Sequence, residues 1–146
     1  MDDPYQYLKS GNHDYEWVAL DGLTKLSNMA LRFVMSQAEE RDLTRPPGMV
    51  QQRDYGKAGE LVKGMLNNYH GLRDMGIIIT AQERVIESEG DDTDDEDYES
   101  SSILYVPDLP KGVRSSVNAL VDVIGRLYTV KIQHPTRDKM VIQRRM

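Results

Sequence analysis

A chain of 146 residues with 24 acidic and 18 basic side chains, a net charge of -6 and no cysteine can bury roughly 70% of its unfolded surface around one core. That composition excludes disulfides and thiolate metal sites, argues against attracting nucleic acid through bulk charge, and agrees with a reducing compartment. With no apolar run of membrane-spanning length and no signal-peptide pattern after Met1 and Asp2, the expectation is a soluble intracellular protein forming one domain over residues 1–146.

Residues to about Glu16 are polar and tyrosine-rich, with Gly11 and Asn12 as a turn signal, which predicts a loop or short helix leading into the first strand. Trp17, Val18, Ala19 and Leu20 then read as a short buried strand ending on Asp21. From there Leu23, Leu26, Met29, Ala30, Phe33 and Val34 recur at helical spacing, with Thr24 as N-cap and an end near Arg41. Pro46, Pro47 and Gly48 break this helix, and residues 42–52 have the composition of a mobile loop. A second helix from Asp54 carries the stripe Tyr55, Ala58, Val62, Met65, Leu66 and Tyr69 and ends at Gly71. Residues 76–82 follow as an aliphatic strand, whose consecutive Ile77, Ile78 and Ile79 suit a parallel sheet covered on both faces. Residues 87–102 are a run of acids and serines with too little apolar surface to offset the entropy of ordering, so an exposed, mobile loop is expected. Val113, Val117, Leu120 and Val121 suggest a short helix. Val123 and Ile124 with residues 127–132 read as one strand, and Met140, Val141 and Ile142 as its hairpin partner across a turn at 134–138. The order strand, helix, helix, strand, helix, strand, strand is α/β.

Two strand ends carry the candidate chemistry. A carboxylate at the tip of an apolar strand suits magnesium, which prefers oxygen ligands, keeps several waters and needs few protein carboxylates. Parallel geometry puts the tip of the 76–82 strand beside Asp21, at the edge where open α/β sheets bind ligands. Gln82 is placed to sense a γ-phosphate or orient a water. Glu83 and Arg84 follow it, but successive strand residues point to opposite faces, so Gln82 is preferred. Arg126 could reach a nucleotide held by a neighbouring subunit. Each residue has a plainer alternative: a capping role for Asp21 and Thr24, a strand-end hydrogen bond for Gln82, and a salt bridge to the acidic run for Arg126. Lys139, Arg144 and Arg145 form a small basic cluster that could touch phosphates or simply deter edge aggregation. His13, His70 and His134 have no zinc spacing, the acidic run lacks the ligand spacing of a calcium loop, and the lysine at 57 belongs to a helix start. Nowhere does a Gly-rich stretch precede Gly-Lys-Ser or Gly-Lys-Thr, so any nucleotide site within the chain is partial.

In block order the chain resembles the RecA-type ATPases of bacteriophages, in particular the Sak-type single-strand annealing group. Residues 17–24 look like that family's Walker B strand, with Gly22 where serine is common. Residues 52–57 are similar to the opening of its next helix, and 76–84 to its sensor strand. Residues 107–110 and 122–126 correspond to its closing portion, so the likeness covers about Tyr15 to Arg145. The resemblance implies a partial RecA-like, P-loop NTPase core with a mostly parallel sheet, flanking helices and a C-terminal β-hairpin. It implies ATP and Mg2+ as cofactors, with Asp21 the metal ligand, Asp21, Thr24 and Arg126 on the nucleotide, and Gln82 the catalytic residue. The implied role is DNA recombination or single-strand annealing in the host-cell cytoplasm, with single-stranded DNA and either further copies or a complementing chain as partners. Without a phosphate loop the chain is not expected to hydrolyse ATP alone. The alternative is a non-catalytic interaction module built on the same scaffold.

Overall fold

Residues 3–88, 102–133 and 140–145 are described by a computed structural model. The tyrosine-rich lead-in contains α1 (Pro4–Lys9), started by Pro4 and by the Asp3 carboxylate, which accepts from the Tyr5 N–H at 3.0 Å. Then come β1 (Trp17–Leu20), α2 (Leu23–Arg41), α3 (Gln52–His70), β2 (Gly76–Ile79), β3 (Glu83–Ser88), β4 (Ser102–Pro107), α4 (Lys111–Leu120), β5 (Tyr128–Gln133) and β6 (Met140–Arg145).

β1 and β2 pair in parallel and in register, Trp17 opposite Gly76 through Leu20 opposite Ile79. This small parallel sheet confirms a mixed α/β architecture, but the expectation of a mostly parallel sheet is corrected. Among the described residues β3 pairs antiparallel with β4, and β5 with β6, each as a separate two-stranded ladder. The β3–β4 pairing was not legible in the sequence. Its ladder takes in Glu87, Ser88 and Ser102, so the acidic run expected as a loop over 87–102 has strand residues at both ends. Its remainder, 89–101, lies outside the described residues, as do the 134–138 turn and Lys139.

The helical stripes explain the core. Leu23 and Val34 of α2, Ala58, Val62 and Leu66 of α3, Leu109, and Val113 and Val117 of α4 are buried, with Leu20 and Ile79 of the parallel pair packed against them. Each fully buried aliphatic side chain contributes about 1.5–3 kcal/mol of transfer free energy, so this cluster is what fixes the helices on the sheet. The same stripes overreach at their rims: Met29, Phe33 and Tyr55 are exposed. The strand expected to begin at Val123 begins only at Tyr128, and residues 123–127 are irregular.

Residues 42–51 are anchored by a feature hidden in the sequence. Arg45 and Asp54 are buried together, the guanidinium donating to both carboxylate oxygens and, at 2.5 Å, to the Met49 carbonyl. The Gln51 N–H donates to the same carboxylate at 2.8 Å, closing a capping box on α3. The helix therefore begins at Gln52 rather than Asp54, while Gly71 ends it as expected.

Candidate functional site

The C-terminal tips of β1 and β2 form one rim. After Leu20 the chain turns through Asp21 and Gly22, and Gly22 adopts φ +92°, a left-handed conformation that costs glycine little. Gly22 is the N-cap of α2 and has no side chain to cap it. Thr80, just past β2, does this work instead: its hydroxyl accepts the Gly22 N–H at 2.9 Å and its carbonyl accepts the Leu23 N–H at 2.8 Å. The same hydroxyl donates to Asp21 Oδ1 at 2.5 Å. One threonine thus caps the helix and orients the carboxylate, and no local pattern marked it for either task.

Thr24 was expected as the N-cap and is not. It lies inside the first turn of α2, 6% exposed, and its hydroxyl accepts the Gln82 N–H at 3.0 Å. The Gln82 carbonyl in turn accepts the Asp108 N–H at 2.7 Å. The backbone of Gln82 is therefore held from both sides while the residue itself is exposed. Gln82 sits between β2 and β3 rather than within one long strand, because β2 stops at Ile79 and β3, which starts at Glu83, pairs in a separate ladder with β4. Asp21, Thr24, Thr80 and Gln82 are joined by these bonds into one strip.

Arg126 stands on a different contact. It donates to both oxygens of Glu83, through Nη2 at 3.0 Å and through Nε, and its guanidinium lies 3.5 Å from the Tyr105 ring centroid and 5.2 Å from that of Tyr128. The salt bridge foreseen for it exists, but with Glu83 at the start of β3. Hydrogen bonding from Arg126 holds the Glu83 carboxyl below its ordinary range, and Glu83 pushes the arginine up.

One exposed carboxylate with an orienting hydroxyl fits a hard divalent cation that keeps most of its waters and takes further oxygens from phosphate. It does not make a self-sufficient cage: among the described residues no group of three or more His, Cys, Asp or Glu could hold a metal. No helix among the described residues is long and apolar enough to cross a membrane.

No curated protein and no solved structure matches the chain. A family model described as AAA domain matches residues 2–145. A match over nearly the whole length, on a chain whose parallel strands end in an oriented carboxylate beside a helix start, settles the family: the chain belongs to the AAA-domain family, of P-loop ATPase type.

Proposed function

We propose that the chain supplies the metal-facing rim of an ATP site in a RecA-like ATPase serving phage DNA recombination or single-strand annealing. The observation that carries this reading is the Asp21–Thr80 bond at 2.5 Å on the shared tip of two parallel, in-register strands. In it Asp21 holds Mg2+ through water, Thr24 fixes the start of α2 against the sensor loop, and Gln82 meets the γ-phosphate or its attacking water. Bound Mg2+ would neutralise charge on the phosphates. This sequence holds no Gly-Lys-Ser or Gly-Lys-Thr loop, so on this reading the cradle for those phosphates is supplied from outside it. Arg126 reaches a neighbour's nucleotide only by leaving Glu83. With a net charge of -6, single-stranded DNA is held by the assembly rather than by this chain's bulk field. On this reading the protein works in the host-cell cytoplasm.

Paramagnetic broadening by Mn2+-ATP tests the rim. Amides at 21–24 and 80–82 should broaden selectively, Asp21→Asn should abolish the effect, and calorimetry should show Mg-ATP binding by the chain alone no tighter than about 1 mM. Broadening centred elsewhere, an Asp21→Asn variant that behaves like the parent, or tight binding by the isolated chain overturns the proposal. A second reading, the non-catalytic interaction module, is favoured by the exposed Trp17 and Ile78 on one face of the parallel pair. It requires association insensitive to Asp21→Asn and nucleotide.

A further inference from the structure

A covalent rearrangement is open to this chain at the rim itself. Asp21 and Gly22 form the only Asp-Gly pair in the sequence, which has no Asn-Gly pair. An aspartate followed by glycine is the junction where a backbone nitrogen most readily reaches a side-chain carboxyl, because no Cβ shields that nitrogen and the backbone turns freely. Both groups are accessible here. Asp21 is exposed, and a Cβ added at Gly22 would meet only the Lys25 Cβ, at 3.8 Å.

Between the two groups stands the Thr80 hydroxyl. It accepts the Gly22 N–H at 2.9 Å and donates to Asp21 Oδ1 at 2.5 Å, so one oxygen engages both the nitrogen that would attack and the carboxyl that would be attacked. Cyclisation makes the amide give up its planar conjugation and brings the carboxyl over the nitrogen, which breaks both bonds. The next residues resist the same motion. The Leu23 N–H is held by the Thr80 carbonyl at 2.8 Å, and the Gly22 carbonyl accepts the Leu26 N–H at 3.0 Å in the first turn of α2.

We infer that the Asp21–Gly22 junction is a site of succinimide formation and isoaspartate conversion, and that Thr80 is the latch that slows it. In the first step the Gly22 nitrogen bonds to Cγ of the Asp21 carboxylic acid, whose hydroxyl leaves as water with the amide proton. Water then reopens the ring. Attack at Cγ restores aspartate, whereas attack at the main-chain carbonyl breaks its bond to nitrogen and leaves the chain running through Cβ and Cγ. Water is the only co-reactant, and the net mass is unchanged. The product carries its carboxylate on Cα and one added methylene in the backbone, about 1.5 Å of extra chain. Neither that carboxylate nor the Gly22 and Leu23 N–H groups then keep their places against Thr80. The rim therefore has a chemical lifetime set by one threonine, whether or not it meets a nucleotide.

Ageing the intact chain in water labelled with heavy oxygen reads each passage through the ring, because hydrolysis leaves one labelled oxygen at the junction. Fragmentation of the peptide containing Asp21 gives the site and the linkage. Thr80→Val, which keeps the shape and removes the hydroxyl, should raise uptake there by about fivefold. Thr80→Ser should stay near the parent. Thr24→Val loosens the neighbouring Gln82 contact without removing a bond to Asp21 or Gly22, so it controls for lost stability and should also stay near the parent. In denaturant the parent and Thr80→Val should converge on one faster rate, with Asp21 outpacing the other aspartates. Equal uptake in Thr80→Val and the parent, or an equal rise in Thr24→Val, overturns the latch. Slower uptake in Thr80→Val also overturns it, by making the hydroxyl a proton relay that promotes closure. Should Asp21 take up label no faster than the other aspartates in denaturant, the junction is not the reactive one and the inference fails.

Discussion

Replacing Thr24 with valine isolates the contact that holds the sensor loop against α2. The two side chains have nearly the same shape, and their helix propensities are similar, so burial at this 6% exposed position is largely kept. What is lost is the acceptor for the Gln82 N–H, a 3.0 Å bond between residues 58 apart in sequence. A neutral hydrogen bond contributes about 1 kcal/mol net, and a donor stranded away from water costs about 1–3 kcal/mol. Gln82 is exposed and can recruit water, so the lower figure applies. The melting temperature should fall by about 2–4 °C. More tellingly, native-state exchange of the Gln82 amide should quicken by about fivefold, with core amides of α3 following only the global change. Thr24→Ser, which keeps the hydroxyl, should preserve Gln82 protection even if it costs some stability. An unchanged Gln82 amide in the valine variant would refute the reasoning, because the bond would then not order the loop.

Acid should probe the Arg45–Asp54 clasp. Hydrogen bonding from Arg45, opposed by desolvation and aided by the Gln51 N–H, lowers the Asp54 carboxyl from 3.8 to about 2. A folded-state value below the unfolded one means the clasp stabilises fully above about pH 4 and is progressively lost as the pH falls toward 2. Denaturant unfolding of Asp54→Asn between pH 4 and 2 should give a shallower loss than the parent; equal slopes would show that the pair adds nothing in acid. Gly76→Val should displace the chain's single tryptophan, since a side chain there would begin 2.3–2.6 Å from the Trp17 ring. Because that ring is already 64% exposed, it can swing aside, and the expected outcome is a red shift in emission with the β1–β2 pairing retained. An unshifted spectrum would place the ring elsewhere.

Much of the candidate rim was legible because it is written in short-range patterns. A four-residue apolar strand ending on Asp21, a helical stripe directly after it, and an isoleucine run ending near Gln82 specify two strand tips and the helix between them. Parallel pairing then joins the tips, as the register from Trp17–Gly76 to Leu20–Ile79 shows. Periodicity also set the buried faces of α2 and α3, although it could not say that Met29 and Phe33 would stay exposed, since that depends on which neighbours cover the stripe.

What the linear chain determined, then, was the identity of the polar groups at the strand tips and the absence of a phosphate loop, both properties of residues in order. Only the tertiary structure decided that Thr80 caps α2 and orients Asp21, that Thr24 is a buried acceptor, that Asp54 is clasped by Arg45, and that Arg126 is spent on Glu83. It also decided that β3 and β4 pair across the acidic run. Most of these contacts join residues dozens of positions apart, where no helical or strand period links the partners. Even Arg45 and Asp54, nine apart, meet only because the proline-containing loop folds back over the helix start.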